Sequence, residues 1–282
     1  MKKNFTFLIN SVLNFIGFKA IKTNKLVNGK RIVQYKIVKN SKWEAPKHVY
    51  NLSEFPITTL NCIKSNTMLG EIRLKNIIET SQYVLKNNIK GDFIECGVWK
   101  GGAVALMAYI LKAENQNRKL QLFDAFDDIC EPDANVDGER AINEVGGRDY
   151  ANGRITPISG IYNIKGGSGN EQLVMSLITN DIGYDRNLVY LHKGWFQDTL
   201  PLVKNNIAEI ALLRLDGDWY ASTKVCLESL YDKVVNGGIV IIDDYGAYDG
   251  CKKAVDDFLN QKRIKADIIW VDNECIFWIK KS

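Results

Sequence analysis

From about Gly91 onward, the pattern of apolar and polar positions predicts one continuous α/β domain. Short apolar or β-branched runs alternate there with segments in which apolar residues recur at helical spacing, for example 102–112. This alternation is typical of a doubly wound, mainly parallel sheet. Because three residues separate the last two runs, they predict a hairpin that gives an antiparallel strand at the sheet edge. The predicted strands are 92–96, 119–123, 187–192, 209–215, 238–242, 267–271 and 275–279.

The chain before this domain predicts a separate arm. Apolar residues within 5–18 fall on one helical face, which indicates an amphipathic helix. The runs 22–27 and 31–38 flank Asn28-Gly29, a dipeptide suited to the tight turn of a β-hairpin. A second helix is predicted over 67–86. We therefore expect an arm over residues 1–60 and an α/β domain over residues 61–282.

Charge distinguishes the arm from the rest of the chain. Residues 1–50 contain eleven Lys and Arg but one acid, Glu44, so this part carries +10 and the remainder −6 of the net +4. Such an arm would dock on the body, on a second subunit of a homo-oligomer, or on a membrane surface through residues 1–25, and the sequence leaves these alternatives open. No nucleic-acid partner is expected.

The overall composition fits a soluble globular protein, since 46% of the 282 residues are apolar and 25% are charged. Polar residues interrupt the apolar run at 5–18, which argues against a signal peptide and against a membrane span. The six cysteines form no C-x-x-C pair and predict reduced thiols. We expect a cytoplasmic protein, with the inner membrane surface as the place where the arm would make peripheral contact.

A long irregular segment interrupts the α/β alternation at 127–170. It is rich in Gly, Asp and Asn and includes Gly146-Gly147 and Gly166-Gly167. Loops of this length within a compact domain are usually functional lids or disordered. The sequence leaves both alternatives open.

A glycine-rich turn follows the first predicted strand of the domain. Glu95 ends that strand, and Gly97, Trp99 and Gly101 follow before a helix begins. Glycines let the backbone approach a ligand closely, and a helix N-terminus favours negative charge. The acid replaces the first glycine of a dinucleotide-binding G-x-G-x-x-G motif, which favours a ligand with a cationic group, such as the amino-acid end of S-adenosylmethionine. A purely structural turn is the alternative.

Asp124 ends the second strand. Its separation in sequence from the glycine-rich turn is roughly the one at which related folds place a carboxylate on ribose hydroxyls. Together with Glu95, it indicates a nucleoside ligand. A nicotinamide-dependent oxidoreductase is disfavoured, because its pyrophosphate would need the missing first glycine.

Four carboxylates follow two neighbouring strands. Asp216 and Asp218 close one strand, and Asp243 and Asp244 close the next. Like charges at one sheet edge are unfavourable without a compensating cation or proton. Carboxylate oxygens select Mg²⁺ or a similar ion over zinc. The sequence therefore predicts a magnesium site, against the alternative that these acids cap helices or lie in solvent.

Four other polar or aromatic positions stand out. Trp195 opens a helix after the third strand of the domain and is suited to pack against an adenine ring. Asp198 is predicted to cap that helix. His48 and His192 have no metal-ligand spacing and are interpreted as structural.

Five segments resemble the macrocin O-methyltransferase (TylF/MycF) family, in family order from about residue 67 to the C-terminus. The resemblance implies a Rossmann-like class I methyltransferase fold, S-adenosylmethionine and Mg²⁺ as cofactors, and methylation of a sugar hydroxyl. The matching segments are TMLGEIRLKN at 67–76, GDFIECGVWKGG at 91–102, KGWFQDTLP at 193–201, LRLDGD at 213–218 and DDYG at 243–246.

The resemblance also implies roles for individual residues. Asp218 would be the general base that deprotonates the acceptor hydroxyl. The cation-binding residues would be Asp216, Asp243 and Asp244. The residues implied for the cofactor are Met68, Glu95, Gly97, Trp99, Gly101, Asp124 and Trp195.

Three departures from the family pattern leave the acceptor open. The family continues its second strand as Asp-Ser-Phe, whereas this chain has Asp-Ala-Phe at 124–126 and a different turn after it. The segment around 146–169 and the arm do not match. The acceptor would be a free, nucleotide-linked or lipid-linked sugar or a glycosylated natural product. The alternative is a non-catalytic scaffold or membrane-surface protein that uses the basic arm.

Overall fold

The computed structural model describes residues 18–27, 30–39, 43, 45, 46 and 50–281, with the backbone alone before residue 40 and at residue 164. The amphipathic helix predicted for 5–18 lies outside the described residues, apart from Phe18. His48 and the turn Asn28-Gly29 lie outside them as well.

Two sheets are present in the described part of the chain. Strands β1 (Phe18–Val27) and β2 (Lys30–Lys39) pair antiparallel, which confirms the predicted hairpin. The second sheet has seven strands in the order β5-β4-β3-β6-β7-β9-β8. These are β3 (Asp92–Cys96), β4 (Leu120–Asp124), β5 (Val189–Lys193), β6 (Ile210–Leu215), β7 (Val234–Ile242), β8 (Ile269–Trp270) and β9 (Ile276–Ile279).

The predicted class I, Rossmann-like fold is confirmed. Strands β3 to β7 are all parallel to one another, whereas β9 runs antiparallel to β7 and pairs with the edge strand β8. The helices are α1 (Ile57–Ser65), α2 (Glu71–Lys86), α3 (Gly102–Ala113), α4 (Gly138–Glu144), α5 (Glu171–Ser176), α6 (Phe196–Val203), α7 (Tyr220–Leu230) and α8 (Asp249–Gln261).

The sheet is buried on both faces, as expected for a doubly wound fold. Successive side chains of a strand point to opposite faces. Phe93 accordingly belongs to one buried cluster and Ile94 to the other, and Leu212 and Leu213 divide in the same way. Every residue of β6 is buried. The carboxyl ends of β3 and β6 are therefore held rigidly at one edge.

Some predicted boundaries were wrong by a few residues for local reasons. The helix predicted from residue 67 begins at Glu71, because the Thr67 hydroxyl accepts the amide of Leu69 and Gly70 is the N-cap. Strand β7 begins at Val234, four residues before its predicted start at Gly238.

The long segment at 127–170 is folded. It contains α4 and two isolated β-bridges, Cys130 with Pro157 and Asp133 with Asn152. Glu131 is buried and accepts hydrogen bonds from the Arg154 guanidinium at 2.7–3.1 Å. The segment thus forms a wall beside the sheet edge.

Part of the predicted arm packs on this domain. Trp43 and Tyr50 contact the core cluster that contains Phe55, and the Tyr50 hydroxyl donates to Glu114 at 3.0 Å. All six cysteines are unpaired, as their spacing predicted. Within the described residues, no helix is long and apolar enough to cross a membrane.

Candidate active site

A cavity of about 610 Å³ opens at the carboxyl ends of β3, β4, β6 and β7. Its volume lies within the range usual for small-molecule sites, and this sheet edge is where open α/β folds bind ligands. Nearly all the residues predicted for the site line it. They are Met68, Glu95, Gly97, Trp99, Asp124, Trp195, Asp216, Asp218, Asp243 and Asp244.

The turn after β3 brings backbone close to the neighbouring strand. Gly97 has φ +89°, and a Cβ there would collide with the backbone oxygen of Asp216. Trp99 adopts a left-handed conformation with φ 48°, which is unusual for a bulky residue. Gly101 lies at the N-cap of α3 with φ +86° and, unlike the other residues predicted for the cofactor, does not line the cavity.

Glu95 leaves one carboxylate oxygen unused. Its Oε1 accepts from the Arg214 guanidinium at 2.6 Å, and both side chains are only 1% exposed. Its Oε2 is buried and has no hydrogen-bond partner among the described residues. Burial raises the pKa of Glu95, and Arg214 opposes that rise. A cationic or donor group of a ligand would satisfy this oxygen.

Asp124 organises the glycine-rich turn. Its Oδ2 accepts from the amides of Val98 and Trp99 at 2.6 and 2.8 Å, and its Oδ1 accepts from Phe126 at 2.6 Å. Burial raises its pKa, while these three amides favour the ionised form. Besides its predicted role on ribose, Asp124 therefore fixes the loop that carries Trp99.

Three carboxylates converge at the ends of β6 and β7. Oxygens of Asp216, Asp218 and Asp244 all lie within 4.8 Å of one another. Burial raises the pKa of Asp218 well above its usual value, and the nearby Asp216 adds to the rise. Burial and Asp218 raise the pKa of Asp244 in the same way. Such a cluster favours a bound cation or proton.

Asp243, the fourth acid, interacts with two arginines. The Arg214 guanidinium donates to Oδ1 at 2.7 Å, and Arg73 donates to Oδ2 at 2.5 Å. Arg73 also binds Asp272 at 2.7 Å and Glu274 at 2.6 Å, across the turn between β8 and β9. Asp243 therefore connects the carboxylate cluster to an internal ion-pair network.

The structure corrects the interpretation of Asp198. The N-cap of α6 is Trp195, which makes no side-chain cap hydrogen bond, and Asp198 lies in the first turn instead. A carboxylate in that turn still interacts favourably with the helix dipole. His192 stacks on Phe123 at 4.4 Å and hydrogen-bonds Gln121 at 2.8 Å, which agrees with a structural role.

Sequence reasoning assigned no role to Arg73, Arg214 or Tyr162, although all three line the cavity. Arg73 and Arg214 lie inside the recognised motifs, but their partners are distant in sequence. Tyr162 lies in the unmatched segment, where no motif identified it.

The family model for macrocin O-methyltransferase (TylF) matches residues 19–147 and 175–280. The chain belongs to this family. It is accordingly an enzyme, an O-methyltransferase, and the family resemblance stated from its motifs is confirmed. The match begins at residue 19, so the expectation that the arm lies outside the resemblance was wrong from that residue onward.

Curated relatives of this methyltransferase come from Streptomyces and Micromonospora. Demethyldecarbamoylnovobiocin O-methyltransferase of Streptomyces niveus is 34% identical over 253 residues, covering 86% of this chain and 90% of the relative. The 8-demethyl-8-(2,3-dimethoxy-alpha-L-rhamnosyl)-tetracenomycin-C 4'-O-methyltransferase of Streptomyces olivaceus is 32% identical, covering 76% of this chain and 75% of the relative. The solved structure of the O-methyltransferase NovP superposes with a TM-score of 0.62 at 34% identity, covering 77% and 83% of the two chains.

Proposed function

We propose that this methyltransferase uses S-adenosylmethionine and Mg²⁺ to methylate a hydroxyl of a sugar. The observation that carries the proposal is one cavity in which Glu95 has an unused buried oxygen and Asp216, Asp218 and Asp244 converge. A relative named for a rhamnosyl-bearing acceptor supports the sugar class. The sugar would be free, nucleotide-linked, lipid-linked or part of a glycosylated natural product.

The cofactor residues fit S-adenosylmethionine. Glu95 Oε2 would accept from its ammonium group, and the turn at Gly97 and Trp99 would hold its amino-acid end. Asp124 has lone pairs left for ribose hydroxyls after binding three amides. Met68 and Trp195 would contact the adenosine part. When bound, this cofactor supplies an electrophilic methyl group on a sulfonium ion.

The donor set also fits Mg²⁺, which prefers carboxylate oxygens. Asp216 and Asp244 already face Asp218. Asp243 would complete the proposed set, because each carboxylate oxygen has two lone pairs and can serve an arginine and another partner. When bound, Mg²⁺ would stabilise negative charge on the acceptor oxygen.

Asp218 is the proposed general base. It lines the cavity as one of the three clustered carboxylates, and its backbone is left-handed, with φ 58°. A sugar hydroxyl is a poor nucleophile, so removing its proton as the new bond forms accelerates the reaction. Arg214 pairs with both Glu95 and Asp243, and Arg73 pairs with Asp243, so these two carboxylates are held in place beside it.

The proposal is tested by incubating the protein with S-adenosylmethionine, Mg²⁺ and a panel of sugars that have neighbouring free hydroxyls. The panel includes methyl α-L-rhamnopyranoside, dTDP-rhamnose and rhamnosylated natural products. Release of S-adenosylhomocysteine, with one methyl group added to the sugar, is expected, and EDTA should stop it. Turnover that is unaffected by EDTA would contradict the proposed dependence on Mg²⁺. Failure to bind S-adenosylmethionine would contradict the function as a whole.

A further inference from the structure

The cavity wall includes a stretch that the family model does not match. Residues 148–174 lie between the two matched ranges. Within this stretch, Ile155, Ile161, Tyr162 and Lys165 line the same cavity as Asp218 and Asp244. Side chains outside the ranges that the family model matches therefore face the candidate reaction centre.

The unmatched stretch is fastened to the loop that would hold the cofactor. The Trp99 indole donates to the carbonyl of Gly167 at 3.2 Å, and the Lys100 ammonium donates to that of Gly166 at 2.8 Å. Gly169 packs so closely that a Cβ there would collide with the carbonyl oxygen of Trp99. These contacts fix residues 162–169 relative to the glycine-rich turn.

Tyr162 has a hydroxyl without a hydrogen-bond partner among the described residues. Its backbone carbonyl accepts the amides of Lys165 and Gly167 at 2.9 Å, and the Lys165 ammonium lies 5.6 Å from its ring centre. By contrast, the hydroxyls of Tyr220 and Tyr248, which line the same cavity, donate to Asp257 and Glu144. A tyrosine in a half-buried position usually has a partner for its hydroxyl.

Tyr162 shares the cavity with carboxylates of both halves of the site. Asp124 lies on the cofactor side, and Asp216, Asp218 and Asp244 form the cluster on the other. Burial and these carboxylates raise its pKa, so the phenol remains a neutral hydrogen-bond donor. The acceptor sugar has to enter between these two halves.

We propose that Tyr162 is an acceptor-contact residue, whose hydroxyl donates a hydrogen bond to the sugar and selects which hydroxyl faces Asp218. This inference rests on the proposed function and adds a specificity determinant to it. A neutral donor among carboxylates suits a sugar oxygen, which accepts a hydrogen bond without adding another charge.

The kinetic test compares Tyr162→Phe with Tyr150→Phe on the sugar panel. Tyr150 belongs to the same stretch but is 50% exposed and does not line the cavity, so it is a matched control. Tyr162→Phe should lower kcat/KM about tenfold, the effect of one hydrogen bond. The affinity for S-adenosylhomocysteine and the urea midpoint should stay unchanged, and the control should match wild type in every readout. Wild-type kcat/KM in Tyr162→Phe, with unchanged product regiochemistry, would overturn the inference.

A second measurement does not need the acceptor. The protein is labelled with 3-fluorotyrosine, and the ¹⁹F signals of Tyr162 and Tyr150 are assigned from their Phe variants. The Tyr162 signal should shift when S-adenosylhomocysteine or Mg²⁺ is added, whereas the Tyr150 signal should not. If calorimetry shows that both ligands bind but the Tyr162 signal does not move, Tyr162 does not lie beside the cofactor site and the carboxylate cluster, and the inference fails. If neither ligand binds, the proposed function itself fails.

Discussion

At the level of single residues, the candidate site combines backbone strain with crowded charge. Six described residues other than glycine have positive φ, and Trp99 and Asp218, which line the cavity, are two of them. Such conformations cost roughly 1–3 kcal/mol each and persist where the surrounding fold imposes them. The carboxylates of Asp216, Asp218 and Asp244 add mutual repulsion. These features indicate residues placed for chemistry at the expense of local stability.

Replacing Asp218 by Asn tests its role as the base. Asn is nearly the same size and tolerates a left-handed backbone, so the fold should be preserved. We expect kcat to fall by at least about a hundredfold, because proton removal is lost. Binding of S-adenosylmethionine, measured by calorimetry, should remain within about twofold of wild type.

Asp198→Asn is the matched control, since Asp198 does not line the cavity and should tolerate the same change. Equal activity in Asp218→Asn and wild type would exclude the base role. Loss of cofactor binding in Asp218→Asn would point to a structural role instead.

His192 makes the stability of the fold depend on pH. Burial lowers its pKa from 6.5, so the folded state takes up a proton less readily than the unfolded state. The histidine contribution is fully present above about pH 6.5 and is lost as the pH falls toward the lower, folded-state pKa. In His192→Gln, the free energy of unfolding by urea should depend less on pH between about pH 7.5 and 5.5. Parallel curves for the variant and wild type would contradict this assignment.

The site acids could be predicted from the sequence because the end of an apolar run marks the end of a buried strand. Glu95, Asp216, Asp218 and Asp244 each follow such a run, and parallel strands bring their carboxyl ends to one edge. The partners of Asp243 could not be predicted, because Arg73 lies 170 residues away in sequence. Tyr162 was missed for a similar reason, since an irregular segment has no periodicity that shows which side chains face inward.

At the level of elements, helix α2 is joined to the β8–β9 turn and to the end of β7 by a single side chain. Arg73 of α2 forms ion pairs with Asp243, Asp272 and Glu274. Desolvation opposes the charged form of Arg73, but Asp243 and Asp272 raise its pKa, so the guanidinium stays ionised. The network therefore holds the turn between the antiparallel strands β8 and β9 to the end of the parallel strand β7.

Replacing Arg73 by Met should destabilise the protein by about 3 kcal/mol, because three carboxylates lose their common partner in a desolvated place. The measurement is urea unfolding followed by circular dichroism. Lys75→Met is the control on the same helix. Lys75 is 60% exposed and pairs with Glu79 at 3.7 Å, whereas Arg73 is 14% exposed. The control should change stability by less than about 0.5 kcal/mol, and equal effects of both variants would refute the network.

Element types were predictable where periodicity is clear, and boundaries less so. Strand β3 was predicted without error at 92–96, because polar residues bound a short buried run. Strand β8 is only two residues long although five were predicted, because its apolar run continues past the part that pairs with β9. Pairing partners outside the local sequence decide such boundaries.

At the level of the whole molecule, one buried seven-stranded sheet carries the site at one edge. All six cysteines of the chain are free thiols. Cys96, Cys226, Cys251 and Cys275 are buried, and Cys62 and Cys130 are partly exposed. Burial raises the pKa of Cys130 to about 12, which leaves little reactive thiolate.

Native protein treated with iodoacetamide near neutral pH should therefore be alkylated first at Cys62, with Cys130 much slower and the other four protected. Unfolded protein should take up six labels without prior reduction. Mass spectrometry of the intact chain and its peptides provides the count. Fewer than six labels after unfolding would reveal a disulfide and contradict the description of free thiols.

The central claim is that one cavity binds S-adenosylmethionine beside Glu95 and Mg²⁺ at the carboxylate cluster. Calorimetric titration of each ligand into wild type and Asp244→Asn tests it most directly. We predict that wild type binds both ligands, and that the variant keeps its cofactor affinity while its Mg²⁺ affinity falls at least about tenfold. Equal Mg²⁺ binding in both proteins, or no S-adenosylmethionine binding in wild type, would contradict the account.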